Sequence, residues 1–142
     1  MIKRTAVAVW QGDLKAGQGS IELGSGAFSG KYSFTSRFEE GTGTNPEELI
    51  GAAHAGCFSM ALSAELSKAG YTVDEINTEA IVSMEKGETG FAITSVKLVT
   101  KARVKDIEMD DFIKFASGAK ENCPVSKALT GVKVYLEAHL LK

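Results

Sequence analysis

The segment that most constrains this chain is an uncharged run in its first half. Positions 49 to 62 read LIGAAHAGCFSMAL, with no Asp, Glu, Lys or Arg. Signals of a helix start precede the run: Asn45 is a preferred N-cap, Pro46 suits the first helical position, and Glu48 stands where a capping box needs a carboxylate. The run is therefore predicted to belong to a helix that begins at Pro46.

This predicted helix extends to about Lys68, and Gly70 is expected to end it. Apolar residues occur on nearly all of its sides, which is typical of a helix that is buried all round, often because a second subunit covers one face. Small side chains would let another backbone approach closely. These are Gly51, Ala52, Ala53, Ala55 and Gly56.

Composition limits the classes of partner. The chain has 142 residues, enough for one domain spanning 1–142, and its 16 basic against 18 acidic residues give a net charge of −2. This balance argues against a dedicated nucleic-acid surface or an anionic-membrane surface. No uncharged apolar run reaches about 18 residues and positions 1–5 lack a signal-peptide core, so we expect no membrane span and a cytoplasmic protein.

The remaining patterns predict an α+β fold. Strands and helices segregate along the chain, with a glycine-punctuated antiparallel meander first and the long helix after it. The predicted strands are 5–10, 20–23, 31–38, 80–84, 96–104 and 132–141, and further helices are predicted at 110–121 and 125–129.

The two cysteines are the strongest candidates for chemistry. Cys57 lies about three turns into the long helix, too deep for the helix N-terminus to lower its pKa, so a reactive thiolate there needs a positive partner. Cys123 precedes Pro124 at a junction between two helical segments. The alternatives are a small buried apolar side chain for Cys57 and an unpaired loop cysteine for Cys123.

Arg37 and Glu47 are the candidate charged partners. A guanidinium can keep a thiolate ionised, and a carboxylate can fix that guanidinium through bidentate hydrogen bonds. Taken singly, Arg37 also fits a solvated strand charge, and Glu47 fits the acidic preference of a helix N-terminus.

A metal site is the weaker alternative. His54 and Cys57 are spaced i, i+3 and with Cys123 would make three ligands, but a fourth is not evident. A hydrogen-bonded core histidine is the commoner explanation of His54. Phosphate-loop, nucleophile-elbow and HExxH patterns are also missing, so any chemistry is expected to belong to the thiols.

Three motifs resemble one family, the osmotically inducible protein C (OsmC) family. The run GTNPEELIGAAHAGCFSMAL at 43–62 carries most of the likeness, and GFAIT at 90–94 and NCPVS at 122–126 fit as well. The start WQGD at 10–13 and the terminal strand extend it to essentially the whole chain. The pattern looks closer to the OsmC branch than to the related organic hydroperoxide resistance proteins.

This resemblance implies a cysteine-based peroxidase without metal, haem or flavin, built as an intertwined homodimer whose antiparallel sheets enclose two central helices. By position, Cys57 matches the peroxidatic cysteine and Cys123 the resolving cysteine, which would form a disulfide with it. Arg37 and Glu47 match the pair that activates the thiolate. Organic hydroperoxides and hydrogen peroxide are the implied substrates, and an external dithiol is the implied reductant.

Two other classes stay open. The chain could be a thiol–disulfide exchange protein that never meets peroxide, although the absence of a Cys-x-x-Cys motif counts against this. It could also be a catalytically silent dimer that binds an apolar ligand, for which Cys57, Cys123, Arg37 and Glu47 together would be an unexpected combination.

Overall fold

A computed structural model describes residues 1–142, which divide into two compact units, Met1–Leu49 and Ile50–Lys142. The prediction of a single domain stays a prediction.

The first unit begins with a three-stranded antiparallel meander of strands β1 (Ala6–Gln11), β2 (Gln18–Leu23) and β3 (Ser29–Tyr32). Gly19 of β2 is needed where two aromatic rings meet. It pairs with both Trp10 and Tyr32, whose ring centroids are 5.3 Å apart, and an added Cβ would lie only 2.5–2.6 Å from their ring atoms. The predicted meander is therefore confirmed, and a glycine permits its aromatic packing.

The predicted strand 31–38 is wrong beyond Tyr32. Residues Phe34–Phe38 form a short helix, α1, because Ser33 and Ser36 build a reciprocal capping box. The Ser36 backbone N–H donates to the Ser33 hydroxyl oxygen (3.2 Å), and the Ser33 N–H donates to the Ser36 hydroxyl oxygen (2.8 Å). These local bonds satisfy helix-start donors, and they outweigh the weak alternation that favoured a strand.

The long helix, α2 (Pro46–Lys68), has the predicted limits. At its start the Glu48 N–H donates to Asn45 Oδ1 at 2.8 Å, while the Glu48 carboxylate accepts from the Thr44 hydroxyl at 2.7 Å. At its end Gly70 takes a φ of 94°, a conformation that only glycine adopts without cost. The N-cap Asn45 and the stop residue Gly70 therefore act as predicted, but the capping box is only half formed, because the Glu48 carboxylate accepts from Thr44 rather than from the Asn45 N–H.

Burial of α2 in the second unit is one-sided, so the prediction that it is buried all round is not met within one chain. The buried face repeats every three or four residues, as a helix packed on one side requires. The opposite face is uncharged but exposed, and Met60 there is 76% exposed. The buried face comprises Gly51, His54, Phe58, Leu62 and Leu66; the exposed face includes Ala52, Ala53, Gly56 and Met60.

By length and composition, α2 is also the one helix that could cross a membrane. The expectation of no membrane span stays a prediction. The observation is weak evidence, because a helix lining a protein core passes the same test, and Phe58, Leu62 and Leu66 are fully buried in this core.

The second unit holds a mixed sheet of β4 (Val73–Gly87), β5 (Gly90–Val104) and β6 (Lys133–Leu141), in that order. Strands β4 and β5 form an antiparallel hairpin, but β6 runs parallel to β5 rather than antiparallel. A parallel neighbour needs a crossover, which α3 (Met109–Asn122) and α4 (Pro124–Ala128) supply. The α+β class is confirmed, with one antiparallel sheet and one mixed sheet.

The core of the second unit lies where α2, α3 and β5 pack together. Its members are fully or almost fully buried apolar side chains, which provide the main stabilisation of such a layer. They include Phe58, Leu62 and Leu66 of α2, Val96, Leu98, Ala102 and Val104 of β5, and Phe112, Ala116 and Ala119 of α3.

Candidate active site

Arg37 and Glu47 form an ion pair within the first unit. Arg37 Nε donates to Glu47 Oε1 at 2.8 Å, and Arg37 Nη2 lies 2.7 Å from the same oxygen. Arg37 is placed by α1, and Glu47 by the first turn of α2. The two residues are thus brought together as a positioned cation with a carboxylate partner.

The geometry of this pair differs from the expected bidentate one. Both guanidinium nitrogens contact Oε1, while Oε2 is buried and has no hydrogen-bond partner. The Glu47 side chain is 11% exposed, whereas that of Arg37 is 36% exposed and lies over the Phe38 ring at 5.2 Å. A half-buried guanidinium anchored at one edge keeps N–H donors available for a further anion.

The two cysteines are brought together within the second unit, where both are free thiols in hydrogen-bond contact. Cys57 lies on α2 and is partly exposed, and Cys123 is fully buried. Cys123 stands between α3 and α4, where its N–H donates to the Ala119 carbonyl at 2.9 Å and its carbonyl accepts from the Lys127 N–H at 3.0 Å. Both helix ends therefore hold its backbone in place.

The surroundings push the pKa values of the two thiols apart. Burial raises the pKa of Cys57, and the hydrogen bond with Cys123 raises it further. Burial acts in the same direction on Cys123, but hydrogen bonds from Cys57 and from the backbone and hydroxyl of Ser126 outweigh it and lower its pKa. Within this unit, the surroundings therefore favour ionisation of Cys123 over that of Cys57.

The interpretation of His54 as a hydrogen-bonded core histidine is confirmed, but sequence reasoning did not identify its partner. His54 is fully buried, and its Nε2 lies 2.7 Å from the Ser126 hydroxyl oxygen, 72 positions along the chain. The fully apolar surroundings of His54 on α2 were the available signal, because a buried imidazole needs a partner. Ser126, inside the motif that follows Cys123, is that partner.

Geometry does not favour the alternative of a metal site. His, Cys, Asp and Glu side chains gather in no group of three or more that could hold a metal ion. The imidazole Nε2 that would have been a ligand is instead hydrogen-bonded to Ser126.

Two apolar residues close to Cys57 in sequence, Phe58 and Met60, differ in their burial. Phe58 is fully buried in the core, whereas Met60 is largely exposed.

In the first unit, aromatic side chains and Arg37 surround a cavity of about 220 Å³. Its lining is Trp10, Leu14, Tyr32, Ser33, Phe34, Arg37 and Phe38.

Comparison with known proteins identifies the family. A family model described as OsmC-like protein matches residues 39–137. Peroxiredoxin OsmC of Escherichia coli K12 is 47% identical over 129 residues, 90% of this chain and 90% of that protein. The organic hydroperoxide resistance protein OhrB of Bacillus subtilis is 37% identical over 98 residues, 68% of this chain and 70% of that protein.

Solved structures agree with the sequence matches. The crystal structure of Bacillus subtilis OhrB superposes with a TM-score of 0.75 at 32% identity, covering 94% of this chain and 97% of that one. An OsmC-like protein of Mycoplasma pneumoniae shares the fold, with a TM-score of 0.78 at 14% identity over 99% of each chain. The resemblance found in the sequence motifs is thereby confirmed, and the chain belongs to the OsmC-like protein family.

Proposed function

We propose that this chain is a thiol-dependent peroxidase that reduces organic hydroperoxides and hydrogen peroxide through Cys57 and Cys123. The observation that carries the proposal is the contact between two free thiols, one partly exposed and one fully buried. The coarser role in peroxide defence follows from membership of a family whose relatives are named peroxiredoxin and organic hydroperoxide resistance protein.

Cys57 is the thiol that attacks peroxide, because it is the more accessible of the two. Its thiolate sulfur bonds to one peroxide oxygen as the O–O bond breaks. The other oxygen leaves with a proton as alcohol or water, and Cys57 becomes a sulfenic acid.

Arg37 supplies the charge that this first step needs. The surroundings of Cys57 raise its pKa, so the thiol needs a cation to ionise near neutral pH. The proposed role of Arg37 is to stabilise the Cys57 thiolate and the charge that develops on the leaving oxygen. Glu47 holds the guanidinium through Oε1, which supports this assignment.

Cys123 completes the cycle by resolving the sulfenic acid. Its sulfur displaces the hydroxyl from Cys57, so that a disulfide and water form and further oxidation of Cys57 is prevented. An external dithiol then reduces the disulfide. The thiols carry both electrons, so the proposed cycle uses no metal, haem or flavin, and its need for a dithiol fits a reducing, cytoplasmic compartment.

The first test is to add cumene hydroperoxide to the reduced protein, count free thiols and map the peptides by mass spectrometry. We expect both thiols of each chain to disappear rapidly and a linked Cys57–Cys123 peptide to appear. Thiols that survive peroxide but exchange with an oxidised dithiol would instead identify a thiol–disulfide exchange protein. Thiols that resist both reagents, with apolar-ligand binding unaffected by alkylation, would identify a ligand-binding dimer.

The proposal includes a homodimer that covers the exposed face of α2. This face is uncharged, and Met60 is 76% exposed on it. At Gly56 on the same face, an added Cβ would meet nothing within 4 Å in the single chain. A second copy of the helix can approach closely where the side chains are this small.

Substitution of Gly56 by Leu tests the dimer. Because the single chain has room at this position, Gly56→Leu should fold but weaken association by about a hundredfold or more, which light scattering over a dilution series would measure. Gly118→Leu on α3 is the matched control, since that site is equally open in the single chain. Dimers of equal strength in both variants would contradict helix-to-helix contact at Gly56.

A further inference from the structure

Two hydrogen-bonded side chains, the buried His54 and the partly exposed Ser126, form an arm that reaches the resolving cysteine and has no role in the proposed cycle. His54 Nε2 lies 2.7 Å from the Ser126 Oγ. Ser126 is the third residue of α4, whose N-cap is Cys123, so its hydroxyl lies beside the Cys123 side chain and contributes to lowering the pKa of that thiol. His54 and Cys123 are each fully buried. The arm therefore joins α2 to the start of α4, beside Cys123.

The direction of these hydrogen bonds follows from the number of protons available. Burial lowers the pKa of His54, so its ring is neutral and carries one N–H. Nδ1 is buried without a partner, and an orphaned buried N–H is rarer than an orphaned acceptor, which places the proton on Nε2. His54 then donates to Ser126, whose single hydroxyl hydrogen is free to point at Cys123.

We propose that Ser126 and His54 are positioning residues for the resolving step: His54 orients the Ser126 hydroxyl, and this hydroxyl holds the Cys123 sulfur as an acceptor for attack on oxidised Cys57. The inference rests on the proposed function and adds two residues to it. It concerns the second chemical step alone.

This arm matters most after peroxide has reacted. In the reduced chain the Cys57 thiol also hydrogen-bonds to Cys123, but oxidation to the sulfenic acid removes that S–H. The hydroxyl of the sulfenic acid leaves during the step, so Ser126 is the side-chain donor that stays beside the Cys123 thiolate throughout. The thiolate forms the S–S bond as the Cys57 S–O bond breaks, and the leaving hydroxide takes up a proton to become water.

Other ionisable groups surround Ser126. It borders an open cavity of about 360 Å³ together with Lys120, Glu121 and Lys127, and its hydroxyl contacts His54. Comparisons of pH dependence should therefore be made between variants that keep these charges unchanged.

Ser126→Ala is the first variant, and Ser126→Thr, which keeps a hydroxyl, is its matched rescue. Quenched-flow mass spectrometry can follow the Cys57 sulfenic acid and the disulfide separately. At pH 7 we expect Ser126→Ala to slow disulfide formation by about three- to tenfold and to leave sulfenic acid formation within about twofold. Ser126→Thr should restore the rate. Equal disulfide rates in Ser126→Ala and the unmodified chain would overturn the proposal.

The pH dependence separates positioning of the thiolate from a general structural defect. For each unit by which a thiol pKa rises, the thiolate fraction falls about tenfold below that pKa, but the nucleophilicity of the thiolate rises about threefold. The loss of disulfide-formation rate in Ser126→Ala should therefore shrink with rising pH. It should vanish, or reverse, once Cys123 is fully ionised. A deficit that is constant at every pH would overturn the proposal.

His54 provides a second pair of variants, which keeps the test decisive if Ser126→Ala does not fold. His54→Gln keeps an N–H donor near the Nε2 position and should retain most of the disulfide rate, whereas His54→Leu should reproduce the Ser126→Ala defect. Ser59→Ala is the control, because Ser59 donates to Thr78 at 2.8 Å on the same helix. A defect of equal size in Ser59→Ala and His54→Leu would contradict the specific role.

A measurement without peroxide distinguishes failure of this inference from failure of the proposed function. In a Cys57→Ser background, thiolate absorbance near 240 nm reports the ionisation of Cys123. Ser126→Ala should move that ionisation to higher pH, and an unmoved curve would overturn the inference alone. If the unmodified chain forms no sulfenic acid while this curve moves, the peroxidase proposal fails and the hydrogen-bonded arm remains.

Discussion

Cys57→Ser is expected to reduce peroxide consumption by about a thousandfold or more, because the substitution removes the nucleophile on which both chemical steps depend. The hydroxyl that replaces the thiol is nearly isosteric but does not ionise near neutral pH. The partly exposed position on α2 makes a large folding defect unexpected. Stopped-flow consumption of cumene hydroperoxide, with circular dichroism as a check of folding, would measure the effect.

Cys123→Ser is the matched variant and should behave differently. With Cys57 intact, it should consume about one equivalent of peroxide per chain and then stop, leaving a sulfenic acid that dimedone traps. Prolonged exposure to peroxide should convert the Cys57 sulfenic acid to the sulfinic acid. The reverse pattern, with one equivalent consumed by Cys57→Ser and none by Cys123→Ser, would exchange the two roles.

That reversal is a real test, because the thiol pKa values of the second unit oppose the proposed order of reaction. Hydrogen bonds lower the pKa of Cys123, although burial opposes them, whereas burial and Cys123 raise the pKa of Cys57. Accessibility favours Cys57, since Cys123 is fully buried. A peroxide molecule must reach the sulfur before the ionisation of that sulfur can matter.

Arg37→Ala is expected to slow sulfenic acid formation by about a hundredfold at pH 7. In the proposed mechanism the guanidinium opposes the raised pKa of Cys57, so its removal should leave less thiolate at neutral pH. The sign of the pH dependence follows from this. The rate of sulfenic acid formation in Arg37→Ala should rise about tenfold per pH unit and approach that of the unmodified chain above the Cys57 pKa. The difference that remains there should be the charge stabilisation that Arg37 is proposed to give the leaving oxygen. Single-turnover rates between pH 6 and 10 would measure this.

Arg37→Lys tests whether the site needs a guanidinium held in place by Glu47 or only a positive charge. Arg37 contacts Glu47 Oε1 through two nitrogens, a geometry that one ammonium cannot reproduce. We expect Arg37→Lys to recover only part of the rate. Unchanged rates and an unchanged Cys57 pKa in Arg37→Ala would remove Arg37 and Glu47 from the site.

Local patterns predicted the parts of the fold that depend on neighbouring residues. Asn45 and Gly70 marked the ends of α2 because caps and stops act within about one helical turn. The same locality explains the error at 33–38, where two serines three residues apart formed a capping box that the strand prediction overlooked. Apolar alternation at 132–141 predicted a strand but not that β6 would run parallel to β5.

The sequence by itself determined the chemistry that is available: two thiols, an arginine with a carboxylate, and an uncharged helix whose motif indicated the family. Only the tertiary structure decided which groups meet. It placed Cys123 against Cys57, joined His54 to Ser126 across 72 positions, and left one apolar face of α2 exposed in the single chain. The physical reason is that residue types and short spacings report interactions within a few residues, whereas contacts across the chain, and the pKa values they set, depend on how α2, α3 and the sheet pack together.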